Sequence, residues 1–213
     1  NTEAGTLDGD ASTDDDGHVD DSYIDISGDF GAIRLGDTDD ALDRFDGGVP
    51  ANWTEKSGGH AIGGDKMMVS FIAPSISGAT IYGSSTAEGD YTGMGVNYSN
   101  GPISVMYQTA TDGTTDSTNM AINFSMAGAK VGFSTTDVDA AGTKTEKSST
   151  GIMYDVNDAM GVYYVTEKDS KVAKSQTSIG ATYSIAPGLS TFVESFDDGA
   201  GQTTTYAELK VSF

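Results

Sequence analysis

Cysteine is absent from the 213-residue chain, which excludes a disulfide scaffold, a thiolate nucleophile and a thiolate zinc centre. Histidine is scarce. His18 and His60 stand among Gly and Asp in loop-like sequence; two imidazoles cannot build a histidine metal cluster, and no G-x-S-x-G motif accompanies them. No stretch reaches the roughly 20 apolar residues of a helical membrane span, and no window of a dozen residues carries a 3.6-residue apolar period. Basic residues are few, 11 against 32 acidic ones, for a net charge of −21. That balance argues against nucleic acid or an anionic surface as partner and favours cations and cationic solutes. Asn1 opens directly into polar, acidic sequence, so the expectation is that the native chain starts upstream of it.

What the chain does contain is period two. In the last eleven residues Thr205, Ala207, Leu209, Val211 and Phe213 point one way, and Tyr206, Glu208, Lys210 and Ser212 the other. Strands that are apolar on one face and polar on the other suit a barrel with lipid outside and water inside, and each crossing needs only about 9–11 residues. The pattern recurs along the chain: Ile24 and Ile26 oppose Asp25 and Ser27, Met67, Val69 and Phe71 oppose Met68 and Ser70, and Ile152, Tyr154 and Val156 oppose Gly151 and Asp155. Thirteen strands are predicted, near 22–30, 31–37, 66–74, 78–84, 90–99, 102–110, 118–126, 129–135, 149–156, 160–167, 176–186, 188–196 and 203–213. In the strand at 188–196, Leu189, Thr191 and Val193 compete with Phe192 and Phe196 for the apolar face.

The connections alternate in length. Tight turns near Gly28, Pro74, Gly101, Ala127, Asp158 and Gly188 alternate with longer segments at 36–66, 84–90, 110–118, 135–148, 166–175 and 196–203. Together with residues 1–21, the longer segments hold 26 of the 32 acidic residues. One rim is therefore acidic and the other nearly neutral, as in an all-β, antiparallel up-and-down transmembrane barrel with short periplasmic turns and long outer loops.

The longest connection, 36–66, is rich in glycine, and loops of this length are usually functional or disordered. The run Ser27 to Phe45 (SGDFGAIRLGDTDDALDRF) places a strand, a Gly-Asp-Phe-Gly turn and a second strand ahead of this acidic loop. It resembles the centre of the Gram-negative trimeric porins, in an alphaproteobacterial-like form, and the aromatic terminal strand resembles their closing strand. The resemblance implies one barrel domain over residues 1–213, with 1–21 an acidic outer loop and 36–66 a loop folded into the lumen after the family's fifth strand. Counting from that strand makes the terminal one the sixteenth, with three strands and a signal peptide expected upstream.

Position by position, the resemblance makes Asp37, Asp39, Asp40, Asp43, Asp46 and Glu55 the acidic lip of a constriction. Arg34, Lys66 and Lys130 should point into the lumen. Tyr206, Leu209, Val211 and Phe213 correspond to the signal read by the barrel-assembly machinery. The resemblance further implies a homotrimer in the outer membrane of a Gram-negative bacterium, set among lipid and lipopolysaccharide. It would pass small hydrophilic solutes and ions passively with a preference for cations, without enzymatic chemistry, cofactor or nucleic-acid partner.

Simpler readings stand beside these. The acids of 36–65 also suit a solvated loop. Asp14, Asp16 and Asp20, with Asp15 between them, are candidate Ca²⁺ ligands, but the run lacks the Glu that closes an EF-hand, which favours a solvated outer loop. Three rival functions are a substrate-selective channel of the same fold, an outer-membrane barrel enzyme and a secreted all-β adhesin. The first is separable by block of the current by a particular solute, the second needs a convergent Ser/His/Asp set, and the third predicts solubility without detergent.

Overall fold

The computed structural model describes residues 22–45 and 66–212. Asp14, Asp16, Asp20, His18, Asp46, Glu55, His60 and Phe213, all singled out by the sequence, lie outside the described residues. Within them the chain forms thirteen strands: β1 (Ser22–Gly28), β2 (Gly31–Thr38), β3 (Lys66–Ile72), β4 (Ala79–Thr86), β5 (Thr92–Asn100), β6 (Ile103–Thr111), β7 (Thr115–Met126), β8 (Ala129–Ala140), β9 (Thr143–Asn157), β10 (Met160–Asp169), β11 (Gln176–Ala186), β12 (Leu189–Asp197) and β13 (Thr203–Val211). A single 3-10 turn, Asp43–Phe45, follows β2. The strands make one antiparallel sheet in the order β1 to β13, each pairing with its neighbours in the chain. β1 and β13 each keep one edge unpaired among the described residues.

The usual distribution of polarity is inverted. Thirty large apolar side chains are exposed among the described residues, including Ile24, Val69, Met94, Phe124, Ile152, Ile179 and Leu209. Buried side chains are more often polar or charged (fourteen, among them Ser70, Gln108, Ser134, Ser149 and Glu194) than apolar (eleven). Isolated exposed apolar residues carry no message, but a continuous band of them on one sheet face does. That band is a lipid-facing surface, and the opposite, polar face is the inner one.

Register fixes the face of every residue, because a slip of one position would move the whole apolar set inside. It also resolves β12. Phe192 pairs with Thr182 and Glu208 and is buried on the inner face, whereas Val193 is exposed on the outer one. Glycines on the inner face make room for aromatic rings: a Cβ on Gly95 would lie 2.5 Å from the ring of Tyr82, and one on Gly180 would lie 2.4 Å from that of Tyr163. Each ring lies over the glycine directly opposite it on the next strand, covering backbone that would otherwise face water.

Two expected loops are shorter than the sequence indicated. β8 and β9 run on to Ala140 and Thr143, so the predicted loop 135–148 is strand up to a two-residue turn at Ala141 and Gly142, both at positive φ (50° and 85°). Likewise β7 begins at Thr115. The polarity of these segments suggested loop, yet their threonines favour strand, and a strand standing beyond the membrane needs no apolar face. At roughly 3.3 Å per residue, the fifteen residues of β9 outreach a hydrocarbon core of about 30 Å.

Candidate functional site

The segment after β2 turns back onto the inner face of β3 to β6. Asp40, Ala41 and Leu42 have no exposed surface. The backbone N–H of Ala41 donates to Ser84 Oγ at 2.7 Å, and Ser84 Oγ lies 2.8 Å from Ser70 Oγ. Gln108 on β6 donates through Nε2 to the Leu42 carbonyl at 2.8 Å, and its Nε2 also lies 3.1 Å from Tyr82 Oη. The Phe45 ring stacks on Tyr82, with centroids 4.1 Å apart. These contacts satisfy backbone groups that a buried loop would otherwise leave unpaired.

Asp40 holds the segment at a second level. One carboxylate oxygen accepts from the Leu42 N–H and the other from the Tyr91 hydroxyl. Tyr91 is itself set by the β4–β5 connection: its N–H donates to Thr86 Oγ1 at 3.1 Å, and Thr86 Oγ1 bonds Asp90 at 2.5 Å. Burial, and then the hydrogen bond to Asp40, push the Tyr91 phenol well above its ordinary 10.0. Tyr91 is therefore a neutral donor to an acid across the physiological range.

The expected lip residues thus separate. Asp39 and Asp43 are exposed and Asp37 is half-buried, while Asp40 is turned against the wall and anchors the loop instead of lining water. Arg34 lies on the inner face, and its guanidinium forms a two-pronged pair with Asp25 (2.7 and 2.8 Å), reaches Thr38 Oγ1 at 3.2 Å and covers the Tyr23 ring at 3.7 Å. Lys66 opens β3 opposite Thr38, and its side chain lies outside the described residues. Lys130, opposite Ser125 and Met153, is exposed on the inner face. In β13, Leu209 and Val211 face outward, while Tyr206 pairs with Glu194 on the inner face.

Several members of the site escaped sequence reasoning. Ser84, Tyr91 and Gln108 meet the loop across 43 to 66 positions of chain, with Ser70 behind Ser84, and no local pattern marks them. Only Asp25 left a signal, since a two-residue turn after Gly28 sets it opposite Arg34. The wall formed by β9 to β13 adds inner-face charge as well: Asp155, Glu167, Asp169, Glu194 and Glu208 against Lys147 and Lys210. Glu167 and Glu194 are buried, accepting from Ser149 Oγ at 3.1 Å and Tyr163 Oη at 2.5 Å. Among the described residues, no three His, Asp or Glu side chains converge as a metal site.

Comparison with known proteins agrees with this architecture. Residues 1–196 match the family model for Gram-negative porins. No curated protein matches the chain. Solved structures do. A mutant of the Rh. blastica porin is 16% identical, with a TM-score of 0.68 over 90% of this chain and 76% of that one. OmpT, an outer membrane protein of Vibrio cholerae, is 14% identical, with a TM-score of 0.65 over 92% and 76%. An anion-selective porin from Comamonas acidovorans is 16% identical, with a TM-score of 0.59 over 90% and 73%. At these identities the likeness is one of fold.

Proposed function

The chain belongs to the Gram-negative porin family, and on that premise we propose that it forms a water-filled channel for passive diffusion of small hydrophilic solutes across the outer membrane, with a preference for cations. The family is one of outer-membrane channels and not of enzymes. The observation that carries the reading is the acidic inner face, with a loop docked upon it through Asp40, Leu42 and Gln108. A loop held on the wall narrows the lumen without closing it, and the lumen then selects by size and charge, with no bond made or broken.

The preference follows from magnitudes. In a lumen about a nanometre across, the screening length at physiological salt, about 8 Å, lets wall charges act on an ion at the axis. Asp39 and Asp43 at the loop, and the acids of the β9–β13 wall, outnumber the lysines there. Arg34 is balanced by Asp25 at 2.7 Å, so it opposes the acids only weakly. Such a field concentrates cations and depletes anions.

Assembly is part of the proposal. OmpT of Vibrio cholerae occurs in a trimer form, and a homotrimer set in lipid and lipopolysaccharide, inserted by the barrel-assembly machinery through Leu209 and Val211, suits the outward apolar band. The edges of β1 and β13 must be paired in the membrane, since lipid cannot satisfy their backbone groups. The test is the reversal potential of the reconstituted full-length channel in a salt gradient.

A further inference from the structure

A cavity of about 850 Å³ opens on the inner face at the short-turn end of β9 to β13, on the wall away from the docked loop. Its lining includes Asp155, Tyr163, Phe192, Glu208 and Lys210. Strand register sets most of these in a line. Asp155 pairs with Gly161, Gly161 with Thr182, Thr182 with Phe192, and Phe192 with Glu208. The row therefore carries a carboxylate at each end, about 19 Å apart between backbones for four strand spacings. Lys210 lies two residues beyond Glu208 on the same face, next to Ser190.

The floor between these charges is rigid. The Tyr163 ring fits over Gly180, where a Cβ would come within 2.4 Å of it, and its hydroxyl donates to the fully buried Glu194 at 2.5 Å. Phe192 is 92% buried beside it. Among the described residues the side chains of Asp155, Glu208 and Lys210 make no hydrogen bond or ion pair.

We propose that this cavity is a solute-binding subsite of the channel for a free amino acid with a cationic side chain. Four charges line the cavity, Asp155, Asp158 and Glu208 against Lys210, and their net of −2 favours a cationic ligand. Glu208 takes the α-ammonium, the neighbouring Lys210 takes the α-carboxylate, and the side-chain cation crosses the aromatic floor toward Asp155. The rings of the floor are nearly fully buried, so the carboxylates supply the preference for a guanidinium over an uncharged chain. A site at the short-turn, periplasmic end would draw such solutes through the lumen after they pass the loop.

This inference rests on the channel reading, and its test separates the two. Arginine, citrulline (the same shape with a neutral side chain), agmatine (arginine without its carboxylate) and glucose are titrated calorimetrically into the full-length protein in detergent. KCl conductance is measured in parallel. Arginine is expected to bind at least threefold more tightly than citrulline or agmatine, and glucose not at all. Asp155→Asn should erase the preference over citrulline, Lys210→Met the preference over agmatine, and Glu208→Gln should weaken all three amines. Arginine heats no larger than those of glucose, or preferences unchanged in all three variants, overturn the subsite. A protein that binds arginine but carries no current overturns the channel reading and leaves the subsite standing.

Discussion

The hydroxyl of Tyr91 donates to the carboxylate of Asp40 across 51 positions of sequence, joining the connection after β4 to the loop after β2. Both groups are fully buried, so neither takes a bond from water if the other is lost. Removing a partner from a buried polar group costs about 1–3 kcal/mol. Tyr91→Phe should therefore loosen the loop, raising single-channel conductance and its noise while the barrel still folds.

The same pair sets a pH dependence. Because the folded state raises the Tyr91 pKa above its ordinary 10.0, the neutral phenol's contribution is complete below about pH 10 and is lost as pH climbs through the folded value. Thermal unfolding in detergent should be indifferent to this group from pH 6 to 9 and fall above 10, with the alkaline fall reduced in Tyr91→Phe. An equal fall in both proteins would remove Tyr91 from the latch.

Val96 and Asn97 are adjacent on β5 and face opposite ways. Val96 belongs to the outward apolar band, where an arginine near the bilayer midplane costs about 2–4 kcal/mol. Val96→Arg should cut refolding into vesicles sharply, whereas Asn97→Arg, on the inner face, should refold as the parent does. Equal yields would contradict the assignment of faces.

Arg34 and Asp25 neutralise one another on the inner face at 2.7 Å. Arg34→Ala leaves the Asp25 charge uncompensated. The potassium-to-chloride permeability ratio should rise roughly twofold at physiological salt, where a wall charge reaches about 8 Å, and change little at 1 M, where it reaches about 3 Å.

Asp198, in the connection between β12 and β13, accepts from the N–H groups of Gln202 at 3.0 Å and Ala200 at 2.7 Å. These donors hold its carboxyl below the usual 3.8. A depressed value means the contribution is present above about pH 4 and is lost as pH falls through the folded value. Asp198→Ala should speed proteolysis at residues 198–202 at neutral pH, and acid should do the same to the parent.

Much of the fold was legible because its signal is short-range. Alternation puts Ile24, Val69 and Ile152 on one face within each strand, and a tight turn carries the register to the next. β12 was not legible, since Phe192 is as apolar as Val193 and only pairing with Glu208 sends it inward. The outer halves of β8 and β9 were not legible either, because their polar residues lack the alternation that marks a membrane-crossing strand. The loop's position after β2 could be inferred, but not its seat. Asp40 looks like its exposed neighbours Asp39 and Asp43 until Tyr91 is brought to it and Ser84 to the adjoining Ala41, and no spacing in the chain announces partners so remote.

The central claim is an acidic lumen that favours cations. The measurement that bears on it most directly is the zero-current potential of the full-length channel in a planar bilayer under a tenfold KCl gradient. A potential of the sign set by potassium, shrinking as both solutions are raised in concentration, is the predicted result. A potential of the sign set by chloride would contradict the account.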